Sequence, residues 1–290
     1  MRRTIAAFAL AATVIMGSNT PAEASKSLQS VAVSGGLTLP VYTSSSIDVS
    51  DPVATRAVIV VHGTSGNATD YYDYAATAVA PGTFIAAPRF RTSASGTALY
   101  WTSTAWKEGG ASTNSPYVSS FVAMDALVAK IQATRPNVTS IVIIGHSAGG
   151  QFVQRYAATS TNPRVRFIVA NAGSYMYLTA AREGYTNPAS GCSRYNRYRY
   201  GLEVLPAQLS GIGAATLNAR YRAADVTYLL GDMDTDPNDP DMDTGCAATR
   251  QGPYRYERGQ RFYRSLGATA HQLVTVTGCL LYTSPSPRDA

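Results

Sequence analysis

The stretch SIVIIGHSAGGQF, residues 140–152, constrains the architecture more than any other part of the chain. Ile141, Val142, Ile143 and Ile144 form an unbroken apolar run, as expected of a strand buried on both faces of a sheet. Gly145 follows directly, and the residues after Ser147 read as a helix. A strand that becomes a helix within so few residues must turn sharply, and small residues on either side of Ser147 let it do so without a Cβ clash. A strand–turn–helix unit of this kind belongs to a parallel sheet with helices packed on it.

The rest of the chain repeats the theme. SVAVSGGLTLPVYT reads as two strands around a turn at Gly35-Gly36, and RAVIVVHG, FIAAP, RFIVANAGS, VTYLLGDMD and QLVTVTG read as further strands. Helices are expected over 68–79 and over 118–133, where Phe121, Met124, Leu127, Val128 and Ile131 recur at helical spacing before Pro136. A third should follow Ser147, and a fourth should cover 246–266 with an early break at Gly252-Pro253. Residues 175–224 are irregular and rich in Tyr and Arg, and are expected to form a cap excursion over the sheet. The expected class is therefore α/β, with about eight mostly parallel strands and helices on both faces.

Composition fits a single domain with a large core. Of 290 residues, 45% are hydrophobic and only 14% charged, which argues against disorder. The net charge of +6 is spread along the chain without a long basic run, so no nucleic-acid partner is expected. Arg2 and Arg3, an apolar run over 5–16 and the AEA site at 22–24 predict a signal peptide over 1–24, hence a secreted protein. The apolar run is too short to span a membrane, and stable membrane insertion is not expected. An oxidising compartment favours a disulfide among the three cysteines. Cys192 is expected to pair with Cys246, leaving over Cys279, which lies in a tail of different character.

The GHSAG sequence at 145–149 is G-x-S-x-G between a strand and a helix, the context in which a serine is lifted above a sheet as a nucleophile. With this motif in this setting the chain resembles the α/β-hydrolase superfamily from its opening strands to Gly278, closest to secreted bacterial esterases, lipases and polyester depolymerases. The resemblance implies that Ser147 attacks a small-molecule or polymeric ester, without cofactor or metal. An amidase or peptidase with the same triad, or a non-catalytic binding module on this scaffold, are the alternatives. It also implies that the residue after His62-Gly63, Thr64, gives a backbone N–H to an oxyanion hole, with the N–H of Ala148 as second donor. His62 and His146 then have structural roles. The triad acid is expected after the penultimate strand, at Asp234 of the sequence GDMD, with Asp232 and Asp236 as reserves.

Other readings compete at several of these positions. Asp232, Asp234, Asp236 and Asp243 have the spacing of a calcium loop, but Pro237 stands where such a loop has Gly and its last ligand would be Asp rather than Glu. Tyr195, Tyr198 and Tyr200 alternate with Arg194, Arg197 and Arg199, either as a substrate-binding face or as a surface segment held by Cys192 with its tyrosines packed on the sheet. Trp101 and Trp106 either line an active-site pocket or fill the core.

The general base is the difficulty. The superfamily order is Ser, Asp, His, and only His271 follows Asp234. It stands at the start of the last strand, however, whereas the nucleophile belongs at the carboxyl ends of the strands. It is expected to be a surface residue rather than the base. After Gly278, the segment CLLYTSPSPRD at 279–289 resembles the translation of a sequencing-library adapter. The hydrolase domain is accordingly expected to cover 25–278, with 279–290 a non-native tail and the triad histidine lost beyond Gly278.

Overall fold

A computed structural model describes residues 26–280; the expected signal peptide and the tail after Leu280 lie outside the described residues. Eight strands form one sheet: β1 (Ser27–Ala32), β2 (Thr38–Thr43), β3 (Arg56–Val61), β4 (Thr83–Pro88), β5 (Ser140–His146), β6 (Val165–Ala170), β7 (Val226–Gly231) and β8 (Gln272–Val276). Their spatial order is β1-β2-β4-β3-β5-β6-β7-β8. β1 and β2 pair antiparallel around Gly35 and Gly36, whose positive φ angles of 59° and 74° suit glycine. β2 is antiparallel to β4, and every later pairing is parallel. The carboxyl ends of β3 to β8 therefore share one edge.

Two long helices flank this sheet: α1 (Ala68–Ala78) and α2 (Ser120–Thr134), capped by the side chains of Asn67 and Ser119. α3 (Ala148–Ala157) is buried along its whole length. Its Phe152 packs among Phe90, Phe121 and Tyr156, with ring centroids 4.8, 5.3 and 5.8 Å away. Burial of such a side chain contributes about 2 kcal/mol, before any gain from ring geometry.

The segment over 175–224 differs from the irregular excursion expected. It contains a short helix, α4 (Ala207–Ser210), and a full one, α5 (Ala214–Ala223). Only Leu217 and Tyr221 of α5 are buried, so its apolar stripe is too thin to show in the sequence. The remainder is a fixed cover. Gln154 and Gln251 each make paired bonds to its backbone, at Met176 and at Tyr175. Cys192 and Cys246 form the expected disulfide across a separation of 54 residues. The expected fourth helix is broken into α6 (Cys246–Thr249) and α7 (Arg255–Ser265), with Gly252-Pro253 in the gap.

Candidate active site

Ser147 sits between β5 and α3 with φ 56° and ψ −115°, a backbone conformation that non-glycine residues rarely adopt. Its surroundings require it. A Cβ on Gly145 would lie 2.1 Å from the Gly149 carbonyl oxygen, and one on Gly149 would lie 2.3 Å from that of Val61. The turn is too tight for any side chain at either place. Ser147 N–H donates to Ala170 O at 3.0 Å, and Gln151 N–H donates to Ser147 O at 3.1 Å, which anchors the turn to β6 and to α3.

β3 and β5 are paired with Val61 opposite Gly145, so the loop carrying Thr64 leaves the sheet beside Ser147. Thr64 is exposed, and Ala148 opens α3, where backbone N–H groups have no partner within the helix. Beside Thr64 is a cleft of about 90 Å³, with Phe90 and Trp106 as aromatic lining and Thr64, Arg89 and Arg91 as polar lining. Trp106 is core, 2% exposed and stacked on Phe90 at 5.4 Å, and it also borders this cleft. Trp101 is core, with its indole N–H donating to Val118 O at 3.2 Å.

On the other side of Ser147, Asn171 joins two strand ends. Its N–H donates to Leu229 O at 3.0 Å, and its side-chain oxygen accepts from Gly231 N–H at 2.8 Å. Its φ of 41° is one that Asn tolerates. This join ties the end of β7 to the end of β6, the strand whose Ala170 anchors the Ser147 turn. In the loop after β7, Asp234 is 4% exposed. Its Oδ1 accepts from Arg255 Nη1 at 3.2 Å, while its Oδ2 is buried with no hydrogen-bond partner among the described residues. Burial pushes the Asp234 carboxyl above the usual carboxylate range, against the pull of Arg255. Arg255, itself 1% exposed, is held by both oxygens of Asp239 at 3.0 Å.

The other acids of this loop turn to separate partners. Asp232 accepts from Gly278 N–H, Asp236 from Asn238 N–H, and Asp243 from the hydroxyl of Tyr200 at 2.6 Å. Among the described residues no three His, Cys, Asp or Glu side chains converge on a metal site. The Tyr and Arg residues of the cover are largely engaged as well. Tyr195 is buried, Tyr198 bonds to Glu108 O, and Arg199 is ion-paired with Glu108 and with Asp243; Arg194 and Arg197 remain exposed.

The three histidines of the chain are all described, and each is held elsewhere. His62 is fully buried; Phe90 N–H donates to its Nε2 at 3.0 Å, so its Nδ1 carries the proton given to Gly63 O at 2.7 Å. Burial lowers its pKa to about 4. His146 Nδ1 bonds with Tyr71 OH at 2.8 Å. His271 precedes β8, at the edge opposite to Ser147. It is not the surface residue expected: it is 4% exposed, with Nε2 bonded to Tyr221 O at 2.9 Å and Nδ1 to Tyr228 OH at 3.1 Å. Two tyrosines from other elements close over it, which sequence position alone does not reveal. The segment after β8 does reach the loop that carries Asp234. Met233 N–H donates to Cys279 O at 3.2 Å, and the Cys279 thiol is pushed up by burial and by the charges of Asp234 and Asp232.

Sequence reasoning missed Arg255, Asn171, Arg89 and Arg91. The sequence PRFR at 88–91 offered a signal, because two charges directly after a buried strand stand at the edge where such sheets bind ligands.

Comparison with known proteins agrees with this architecture. Poly(aspartic acid) hydrolase-1 from Sphingomonas sp. KT-1 is similar over 88% of this chain and 92% of its own, with 24% identity and a TM-score of 0.68. LpqC, a poly(3-hydroxybutyrate) depolymerase from Bordetella parapertussis, is similar over 88% and 84%, with 23% identity and a TM-score of 0.68. An esterase from Pyrococcus furiosus is similar over 92% and 87%, with 16% identity and a TM-score of 0.50. At such identities these likenesses establish the fold alone. Comparison with curated protein sequences gave no match. A sequence model of the alpha/beta hydrolase family matches residues 58–285, and the chain belongs to that family.

Proposed function

We propose that the protein is a secreted serine hydrolase that cleaves an ester through an acyl-enzyme. Ser147 Oγ is the nucleophile, the N–H groups of Thr64 and Ala148 hold the oxyanion, and Asp234 orients the base. The strained backbone of Ser147, in a turn that excludes side chains at Gly145 and Gly149, is the observation that carries this reading. The buried, unpartnered Oδ2 of Asp234 supports it, since an orienting carboxylate needs one oxygen for the base. None of the three histidines serves as that base; the order Ser, Asp, His would put it in the segment after β8, whose Cys279 lies against the Asp234 loop. On this reading the residues after Gly278 stand in place of the segment that carries the histidine, and lack of one triad member would slow this chain. The disulfide and the leader-like sequence over 1–24 support export.

A fluorophosphonate probe tests the nucleophile. Ser147 should be labelled slowly in this chain, not at all in Ser147→Ala, and fast in a chain completed with the native 3′ sequence. Equally fast labelling of this chain and the completed one would sink the assignment of the base. No labelling of the completed chain would sink that of Ser147. Two similar solved structures bear the names of a poly(3-hydroxybutyrate) depolymerase and of a poly(aspartic acid) hydrolase, so the substrate panel should pair each ester with its amide.

A further inference from the structure

The cleft beside Thr64 carries more positive charge than the proposed ester chemistry requires. Arg89 and Arg91 follow β4 directly and are both half-buried in its lining. Their backbones are tied down: Arg89 N–H donates to Pro40 O at 2.8 Å, and Arg91 O accepts from Trp101 N–H at 2.8 Å. Arg91 Nε donates to Ser93 O at 3.3 Å, which directs its two terminal nitrogens elsewhere. No acidic residue lines the cleft, and among the described residues neither guanidinium has a carboxylate partner. Other inward arginines of the chain have oxygen partners for their terminal nitrogens. Arg255 has two carboxylates, Arg199 has two, and Arg182 has a set of carbonyl groups beneath an aromatic ring. Unpaired guanidiniums in a concave site disfavour their own desolvation unless an anion arrives, and the planar fork suits a carboxylate.

We infer that this cleft binds a carboxylate of the substrate, so that the preferred ester carries an anionic group a few bonds from its scissile carbonyl. Phe90 and Trp106 would cover the short apolar spacer between the two. The inference rests on the reading of Ser147 as the reacting residue, because it places the carbonyl between Ser147 and Thr64.

Binding to the full chain, followed by ligand-observed NMR, tests this without turnover. The probes are monomethyl succinate and its neutral counterpart dimethyl succinate. Monomethyl succinate should bind at least tenfold more tightly, and Arg89→Gln with Arg91→Gln should erase that preference while leaving the melting temperature unchanged. Equal binding of the two probes, binding of neither, or a preference that survives in the double variant would overturn the inference. Fluorophosphonate labelling of Ser147 in the same preparation keeps the two proposals apart. Labelling without anion preference removes only the carboxylate site, and anion preference without even slow labelling, here or in the completed chain, removes only the nucleophile.

Discussion

Arg255 reaches Asp234 Oδ1 at 3.2 Å and leaves Asp234 Oδ2 buried and unpartnered. The guanidinium is the pivot of the loop after β7, because Asp239 grips it from the other side with both oxygens. One carboxylate of this trio is thereby fixed in direction while half of its hydrogen-bonding capacity is unspent.

Removing the pivot should be costly. Arg255→Met strips two carboxylates of their counter-charge, one of them 4% exposed, and breaking a buried pair in this way costs about 4 kcal/mol. Arg255→Lys keeps the charge but not the fork, and should fall between Met and the parent chain. Urea denaturation at pH 7 ranks the three. If Arg255→Met is as stable as the parent, the trio does not hold the loop.

The strained turn makes a second expectation. At φ 56°, Ser147 pays for its Cβ, so Ser147→Gly should be about 1 kcal/mol more stable than Ser147→Ala, the reverse of the usual order. Chemical denaturation of the two variants decides it.

Acid should weaken the fold through His62. Its folded pKa of about 4 lies below the ordinary 6.5, so between these values the unfolded chain binds more protons. The stability His62 confers is complete above pH 6.5 and declines as pH falls through the window, by about 3 kcal/mol in total. His271, also lowered by burial, acts in the same sense. In His62→Asn the loss attributable to His62 disappears, so the stability gap between variant and parent should narrow steadily from pH 7 to pH 4. A constant gap across that range would show that His62 does not titrate with folding.

The disulfide offers a fourth test. Closing a loop across 54 residues restricts the unfolded chain by about 4 kcal/mol on the chain-entropy model. Reduction should lower the melting temperature by on the order of 10 °C for a domain of this size. Differential scanning fluorimetry with and without reductant measures this. Cys279→Ser should leave the shift intact, because Cys279 lies outside the bridge.

What could be read from the sequence follows from how local each feature is. The Ser147 turn was legible because its determinants, from Gly145 to Gly149, are adjacent and each glycine answers to a contact a few ångströms away. The sequence singles out Asp234 only through family spacing, and nothing local to it signals its burial. Its partner Arg255 was not legible, because the two meet across a loop with no periodic pattern. Asn171 escaped notice because its work is done by one positive φ and two bonds to β7. His271 was placed at the correct edge of the sheet but on the wrong side of the surface, since Tyr221 and Tyr228 arrive from α5 and β7. α5 itself was lost because two buried residues do not make a visible stripe.

β8 closes the sheet on one side, and among the described residues no further strand pairs with its outer edge. Val274 is 44% exposed there, and Gln272–Val276 contains no lysine, glutamate or proline to blunt the edge. An edge of this kind can accept a further strand, so loss of the protein at high concentration is expected to begin with association through β8 before unfolding.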